Sequence, residues 1–177
     1  MDQRFIEYDL PLAEISEESA REKNVRHGHP STLHIWFARR PLAASRATTL
    51  AALLDDPGPR QPEKRREIRD LIESVTPWGA VKEGNNRAVK KAQQLIQDQY
   101  EEPPTVLDPF AGGGSIPLEA LRLGAETHAS DYNPIAVFIE KATVEWPQKF
   151  GIEVEIPEED NEGKLDLGGE KVNLLLY

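Results

Sequence analysis

The sequence predicts an α/β chain in which an α-helical N-terminal region, residues 1–102, precedes the start of a parallel sheet, residues 103–177. Three observations lead to this prediction. Helical patterns of apolar residues fill the first hundred positions, Pro103-Pro104 ends them, and from Thr105 onward strand, glycine-loop and helix patterns alternate. Such alternation is typical of a parallel sheet with right-handed crossover connections. The sheet is expected to be incomplete within these 177 residues.

Composition narrows the classes of function. The chain carries a net charge of −10, is 38% hydrophobic and has no cysteine. The absence of cysteine excludes a disulfide framework, a cysteine-based zinc ribbon and a thiol nucleophile within this chain. No apolar stretch approaches the roughly 18–20 residues of a membrane span, and the first ten residues do not resemble a signal peptide. A cytoplasmic protein with no membrane partner is therefore expected.

The N-terminal region is predicted to contain five helical segments. The first covers residues 11–23 and is ended by Gly28 and Pro30, which disfavour helix. The second, capped by Ser31 or Thr32, runs through Phe37. The third, 42–54, is almost free of charge and is expected to be buried core. After the turn at residues 55–59, amphipathic helices are predicted over 62–75 and 86–100.

The second region begins with strand 105–107, which ends at Asp108. A glycine loop (108–115) follows, then a helix over 116–123 with Ser115 as its N-cap, since serine commonly caps helices. A second strand (127–130) ends at Asp131, and a second helix covers 134–143. The acidic run 153–160 is expected to be a solvated loop, and 172–177 has a strand pattern.

The glycine loop indicates close approach of the backbone to a ligand at the carboxyl edge of the sheet. The dinucleotide pattern lacks its third glycine, because Pro117 stands there, and the P-loop pattern lacks its lysine. A carboxylate at Asp108 would repel a pyrophosphate but would attract a cation. S-adenosylmethionine carries an ammonium and a sulfonium, so its charge suits this strand end.

Asp131 lies 23 residues after Asp108, near the spacing at which an acidic residue accepts ribose hydroxyls. The ring of Tyr132 offers a flat surface on which adenine can stack, and the ring of Phe110 can cover one side of the glycine loop. The structural alternatives stay open at this point: Asp108 as a turn residue, Asp131 as a helix cap and Tyr132 as core. Asn133 is equally compatible with a place near methyl transfer and with capping the helix that begins at Pro134.

Two motifs resemble those of class I methyltransferases. DPFAGGGS at 108–115 is similar to the first motif of the DNA enzymes that methylate amino groups, and DYNP at 131–134 resembles the motif after their second strand. The segments HPS at 29–31 and RPL at 40–42 are similar to the segment that those enzymes place before the glycine loop, beside the methionine end of the cofactor. The resemblance implies a Rossmann-like sheet and S-adenosylmethionine as cofactor.

The N-terminal block also resembles one particular family. Residues 4–42 are similar to the N-terminal domain, of unknown function, in prokaryotic adenine-specific DNA methylases with a zinc ribbon. The resemblance places Asp108 toward the methionine ammonium, Gly112 and Gly114 at the close approach, Asp131 on the ribose and Tyr132 against adenine. The full set of cofactor-binding candidates is Asp108, Pro109, Phe110, Ala111, Gly112, Gly114, Ser115, Asp131, Tyr132, Asn133 and Arg40.

The chain departs from that family in lacking its catalytic motif, [DN]-P-P-[YFW], and the zinc cysteines. The expectation is the S-adenosylmethionine-binding part of a DNA adenine-N6 or cytosine-N4 methyltransferase, inactive alone and completed by the rest of the enzyme or by a complementing chain. DNA is its expected partner through the complete enzyme. An RNA guanine-N2 methyltransferase fragment and a non-catalytic cofactor-binding or interaction subunit remain alternatives.

A basic segment precedes the glycine loop. The segment from Arg21 to Arg46 contains six basic residues and one acidic residue, Glu22. Within it, Arg26, Arg39 and Arg46 are the candidates for nucleic-acid contact. Arg40 is instead expected to pair with the cofactor carboxylate or with Asp108. The histidines at 27, 29 and 34 lack an acidic partner at metal-ligand spacing, so no metal site is predicted.

Overall fold

The computed structural model describes residues 3–25, 28–32, 34–82 and 86–150, together with the backbone of four short strands beyond residue 150. The described part before residue 103 is helical and the part after it is mixed, as predicted. None of the described helices is both long enough and apolar enough to span a bilayer.

The described residues of the N-terminal region form four α-helices and three 3₁₀ turns. The α-helices are α1 (Leu12–Glu22), α2 (Leu42–Leu53), α3 (Pro62–Val75) and α4 (Arg87–Gln99), and the 3₁₀ turns cover Phe5–Glu7, Pro30–Thr32 and Trp78–Val81. The boundaries predicted for α3 are confirmed, because Pro62 occupies its first turn, where the missing N–H costs nothing. The helix predicted through Phe37 is wrong: residues 34–40 are non-helical.

Helix α2 lies at the centre of the core. Nine of its twelve residues are buried, which confirms the prediction of a helix covered on most sides. It packs against α1, α3, the turn Phe5–Glu7 and the first helix of the second region. The N-terminal region and the sheet therefore share one apolar core, which runs from Phe5 to Ala125.

The second region begins as a βαβα unit: β1 (Thr105–Asp108), α5 (Ser115–Arg122), β2 (Glu126–Ala129) and α6 (Pro134–Glu140). β1 and β2 pair in parallel, with Thr105 opposite Glu126 and Asp108 opposite Ala129. The predicted parallel pairing is confirmed for two strands, and the Rossmann-like sheet as a whole stays a prediction. This register brings the ends of both strands, and hence Asp108 and Asp131, to one edge.

Helix α6 is shorter than predicted. It widens into a π-helical turn (Lys141–Glu145), after which α7 (Trp146–Phe150) follows. Farther on, β3 (Glu153–Glu155) pairs antiparallel with β6 (Lys171–Asn173), and β4 (Glu158–Glu159) pairs antiparallel with β5 (Leu165–Asp166). The loop predicted over 153–160 is therefore partly strand. Of the strand predicted at 172–177, residues 174–177 lie outside the described residues.

Candidate cofactor site

The glycine loop turns sharply between β1 and α5. Gly112 and Gly114 have φ values of +54° and +71°, a left-handed conformation that favours glycine over other residues. Gly114 donates its N–H to the Ala111 carbonyl (2.8 Å), and Ala111 donates to the Ser130 carbonyl at the end of β2 (3.1 Å). Gly114 is the N-cap of α5. The prediction of Ser115 as N-cap is thus wrong by one residue, because the positive φ places the last non-helical residue at Gly114.

Asp131 holds the loop against the second strand. Its Oδ2 accepts a hydrogen bond from the Gly112 N–H (2.9 Å), and its Oδ1 accepts one from the Asn133 N–H (2.8 Å). Asn133 in turn caps α6 by accepting the Ile135 N–H (3.0 Å), as one of its two alternatives predicted. Asp108 Oδ1 accepts the Phe110 N–H (3.2 Å). Both carboxylates therefore shape the loop, and each keeps lone pairs for a ligand.

The segment 34–40 forms a second wall over the loop. A Cβ added at Gly112 would lie 2.9 Å from Trp36 Nε1, and one at Gly113 would lie 3.3 Å from Trp36 Cβ. Arg39 Nη2 donates to the Gly113 carbonyl (3.3 Å). The Ser115 hydroxyl donates to the Arg40 carbonyl (2.8 Å). These contacts tie the basic segment to the glycine loop.

A cleft of about 460 Å³ opens between these two walls. That volume lies in the usual range for small-molecule sites. Phe110, which lines the cleft, is 73% exposed, and Tyr132, the residue after the lining Asp131, is 94% exposed. The exposure of Tyr132 rules out the alternative that it is a core residue. The cleft is lined by Trp36, Phe37, Ala38, Arg39, Arg40, Asp108, Phe110, Ala111, Gly112, Gly113, Ser115, Ile116 and Asp131.

Arg39 is the half-buried cation of the cleft. Burial lowers the pKa of its guanidinium, and the Glu22 carboxylate opposes that shift. Within the described part of the chain, its buried Nε and Nη1 have no hydrogen-bond acceptor. Guanidinium groups stay charged in proteins, so two donor nitrogens of a permanent cation lie buried and unpaired among the described residues beside the glycine loop.

Glu22 anchors the arginine segment to the core. Its carboxylate accepts the N–H groups of Leu42 and Ala43 (both 2.9 Å) at the beginning of α2, where a negative charge is favoured. His29 Nε2 lies 3.2 Å from Glu22 Oε1, and the His29 ring packs on Trp78. Burial alone would raise the pKa of Glu22, but the hydrogen bonds from His29, Ala43 and Leu42 outweigh it and leave that pKa below its ordinary value.

Glu140 is an acidic group that the sequence prediction missed. It is 6% exposed and lies beside the loop, with its Cγ 3.6 Å from the position of a Cβ at Gly114. Burial, followed by the negative charges of Asp131 and Asp108, raises the pKa of Glu140 to about 7. The sequence offered one signal for Glu140: it is the single acidic residue in the otherwise apolar helix Pro134–Glu140. That pattern alone does not connect Glu140 to Asp108.

The three arginines predicted to contact nucleic acid have different surroundings. Arg46 is wrong as a nucleic-acid contact: it is fully buried and pairs with Glu119 (2.8 Å) on α5. Arg26 lies outside the described residues. Arg39 faces the cleft. Arg40, predicted to bind a carboxylate or Asp108, is exposed, and none of the ion pairs among described residues joins it to Asp108.

The histidine segment shows no metal centre in the described residues. No group of three or more His, Asp or Glu side chains in that part of the chain is close enough together to hold a metal ion. His29 is engaged with Glu22 and Trp78, as described above.

Comparison with known proteins gives one match. Residues 9–75 match the profile of a protein family described as a protein of unknown function, DUF1156. No curated protein and no solved structure matches the chain. The matched part covers α1 to α3 and includes Glu22, Trp36 and Arg39, so the second wall of the cleft belongs to the region similar to DUF1156.

Replacing Gly112 by alanine is expected to destabilise the fold by about 1–2 kcal/mol for the left-handed backbone alone. The clash with Trp36 at 2.9 Å adds to this loss. Gly58→Ala is the matched control, because Gly58 has φ +83° and nothing within 4 Å of an added Cβ. Urea unfolding measures both losses. An equal loss for the two variants would contradict the close packing of Trp36 on the loop.

Proposed function

We propose that this chain binds S-adenosylmethionine as the cofactor-binding part of a DNA amino-methyltransferase. The observation that carries the proposal is the meeting of two strand-end carboxylates, Asp108 and Asp131, with the glycine loop in one cleft. Two negative charges favour a cationic ligand and oppose a phosphate. S-adenosylmethionine is cationic and supplies a methyl group for transfer.

The described contacts support separate roles for the two acids. Asp108 stands at the end of β1 and is proposed to receive the ammonium of the methionine part. Asp131, which already holds the Gly112 N–H, is proposed to accept ribose hydroxyls with its remaining lone pairs. Tyr132, exposed beside it, is proposed to cover the adenine.

Arg39 replaces Arg40 as the proposed partner of the methionine carboxylate. Its Nε and Nη1 are buried without an acceptor in the described residues, and leaving such donors unpaired is costly. A carboxylate is a strong hydrogen-bond acceptor for a guanidinium. The cleft would then match a zwitterion, with acids on one wall and Arg39 on the other.

DNA is the proposed substrate of the complete enzyme, with the exocyclic amine of an extruded base as methyl acceptor. The support is the sequence resemblance of the loop and of residues 4–42, together with the exposed Phe37 and Arg40 beside the cleft. Aromatic and cationic groups of this kind suit contact with bases and phosphates. This chain contains no [DN]-P-P-[YFW] motif, so a second polypeptide segment would orient the amine.

Titration calorimetry with S-adenosylmethionine tests cofactor binding. Asp131→Asn is expected to bind about tenfold more weakly or worse, since a hydrogen bond to a charged group contributes about 1.5–3 kcal/mol. Asp70→Asn, an exposed change on α3, removes the same charge far from the loop and is expected to bind like wild type. Thermal unfolding of each variant verifies that the loop is intact. Equal affinities for Asp131→Asn and wild type would contradict the ribose assignment.

Incubation with tritiated cofactor tests the substrate class. Adding a complementing segment that carries the catalytic motif is expected to place label in DNA and not in RNA. Label in RNA would show that the substrate of the complete enzyme is RNA and not DNA. Binding without transfer to either would leave a non-catalytic cofactor-binding subunit, and no binding at all would overturn the proposed function.

A further inference from the structure

Glu140 is a buried carboxyl group, one oxygen of which has no hydrogen-bond partner among the described residues. Its side chain is 6% exposed, and within the described residues its Oε1 has no donor. Burying a carboxylate in this way is unfavourable unless a proton or a positive charge compensates it. Such a group calls for a compensating partner, and the described residues supply none at that atom.

The position of Glu140 connects it to the cofactor site. It ends α6, directly before the π-helical turn Lys141–Glu145, and turns of this kind occur frequently at functional sites. Its Cγ lies 3.6 Å from the Cβ position of Gly114. The Asp131 and Asp108 carboxylates both act electrostatically on it. Glu140 is thus a third acid beside the loop, next to Gly114, whereas Trp36 packs on Gly112 and Gly113.

The other charged groups around Glu140 do not neutralise it. It also lines a groove of about 690 Å³ beside β2, together with Glu126, His128, Lys141 and Glu145. His128 Nε2 lies 3.7 Å from Glu126, and Glu145 pairs with Lys149. Lys141 is exposed to solvent. On α5, Glu119 pairs with Arg46 and Arg122, and the one charged residue of the glycine loop, residues 108–115, is the acidic Asp108.

We propose that Glu140 is a specificity-determining residue that makes the cleft favour a positively charged ligand over its neutral counterpart. The inference rests on the proposed function and names the pair concerned: the sulfonium S-adenosylmethionine and the thioether S-adenosylhomocysteine, which remains after methyl transfer. The two differ by one positive charge. An ionised Glu140 attracts the sulfonium more strongly than the thioether, which favours release of the spent cofactor.

The same argument couples binding to a proton. Burial and the charges of Asp131 and Asp108 hold the pKa of Glu140 near 7, so part of the free protein carries a neutral Glu140 at neutral pH. A bound sulfonium favours the ionised carboxylate, and the complex therefore releases a proton. If the sulfonium lowers that pKa by about one unit, its affinity rises about fivefold between pH 6 and pH 8.

Calorimetry with both ligands at pH 6, 7 and 8, in two buffers of different ionisation enthalpy, measures this coupling on the full chain. Wild type is expected to gain about fivefold in affinity for S-adenosylmethionine between pH 6 and pH 8, with proton release near pH 7 and a weaker trend for S-adenosylhomocysteine. Glu140→Gln keeps the shape of the neutral side chain and is expected to lose both the trend and the released proton. Glu126→Gln, an exposed acid in the same groove, is the matched control and is expected to behave like wild type.

The outcomes separate the two proposals. If S-adenosylmethionine binds wild type and Glu140→Gln with the same pH dependence, the role of Glu140 is overturned and the proposed function stands. If Glu126→Gln loses the trend as well, the coupling belongs to the groove as a whole and the role of Glu140 is again overturned. If neither ligand binds wild type at any pH, both proposals fall.

Discussion

Arg46→Met is expected to destabilise the fold by about 3–5 kcal/mol, because it removes one partner of a buried ion pair. Arg46 and Glu119 side chains are 1% and 0% exposed, and Nε of the arginine lies 2.8 Å from the carboxylate. Arg46 Nη1 also donates to the carbonyls of Val75 (2.8 Å) and Pro77 (3.2 Å). The substitution leaves a buried carboxylate with Arg122 as its remaining partner. Urea unfolding measures the loss.

A control variant separates the effect of burying the ion pair from the effect of removing a positive charge. Arg21→Met removes an exposed arginine that pairs with Glu17 (2.7 Å), and exposed pairs typically contribute less than about 1 kcal/mol. The double variant Arg46→Met/Glu119→Leu is expected to lose less than the sum of its single changes, since no carboxylate is left unpaired. A loss below about 1 kcal/mol for Arg46→Met would show that the pair does not hold α2 to α5.

The Arg46–Glu119 pair also shows where sequence reasoning ends. Arg46 belongs to a basic segment and was therefore a candidate for nucleic acid, but its partner lies 73 residues away on another helix. Local patterns do not reveal such a pairing. The burial of α2, in contrast, was predicted correctly from its nearly uncharged composition. Its one charged residue, Arg46, is neutralised inside the core.

The candidate site was likewise predicted in part and missed in part. Parallel pairing places strand ends side by side, so the sequence predicted that Asp108 and Asp131 lie together, and the Asp131–Gly112 hydrogen bond agrees with that. The wall formed by Trp36 and Arg39 was missed because the segment through Phe37 was predicted to be helical. Tertiary contacts override local propensity there: Trp36 packs on the glycines and Arg39 donates to the Gly113 carbonyl.

Glu140→Gln is expected to stabilise the fold at pH 8 by up to about 3 kcal/mol relative to its effect at pH 4.5. The pKa of Glu140 is raised from 4.5 to about 7 in the folded chain. Between these values the native state binds more protons than the unfolded state, so wild-type stability falls as the pH rises from 4.5 to 7 and stays lowered above it. Glutamine has no charge to lose, so the variant escapes this decline.

The difference between the two pH values isolates the charge of Glu140 from any packing effect of the amide, because the packing contribution is the same at both. Urea unfolding of wild type and Glu140→Gln at pH 4.5 and pH 8 measures it, and Glu126→Gln, on the exposed side of β2, is expected to show no such pH-dependent gain. A stability difference that stays constant across this range would mean that Glu140 ionises as an ordinary exposed glutamate. The three carboxyl groups would then not share one electrostatic environment, and the cleft would lack the feature that is proposed to distinguish a sulfonium from a thioether.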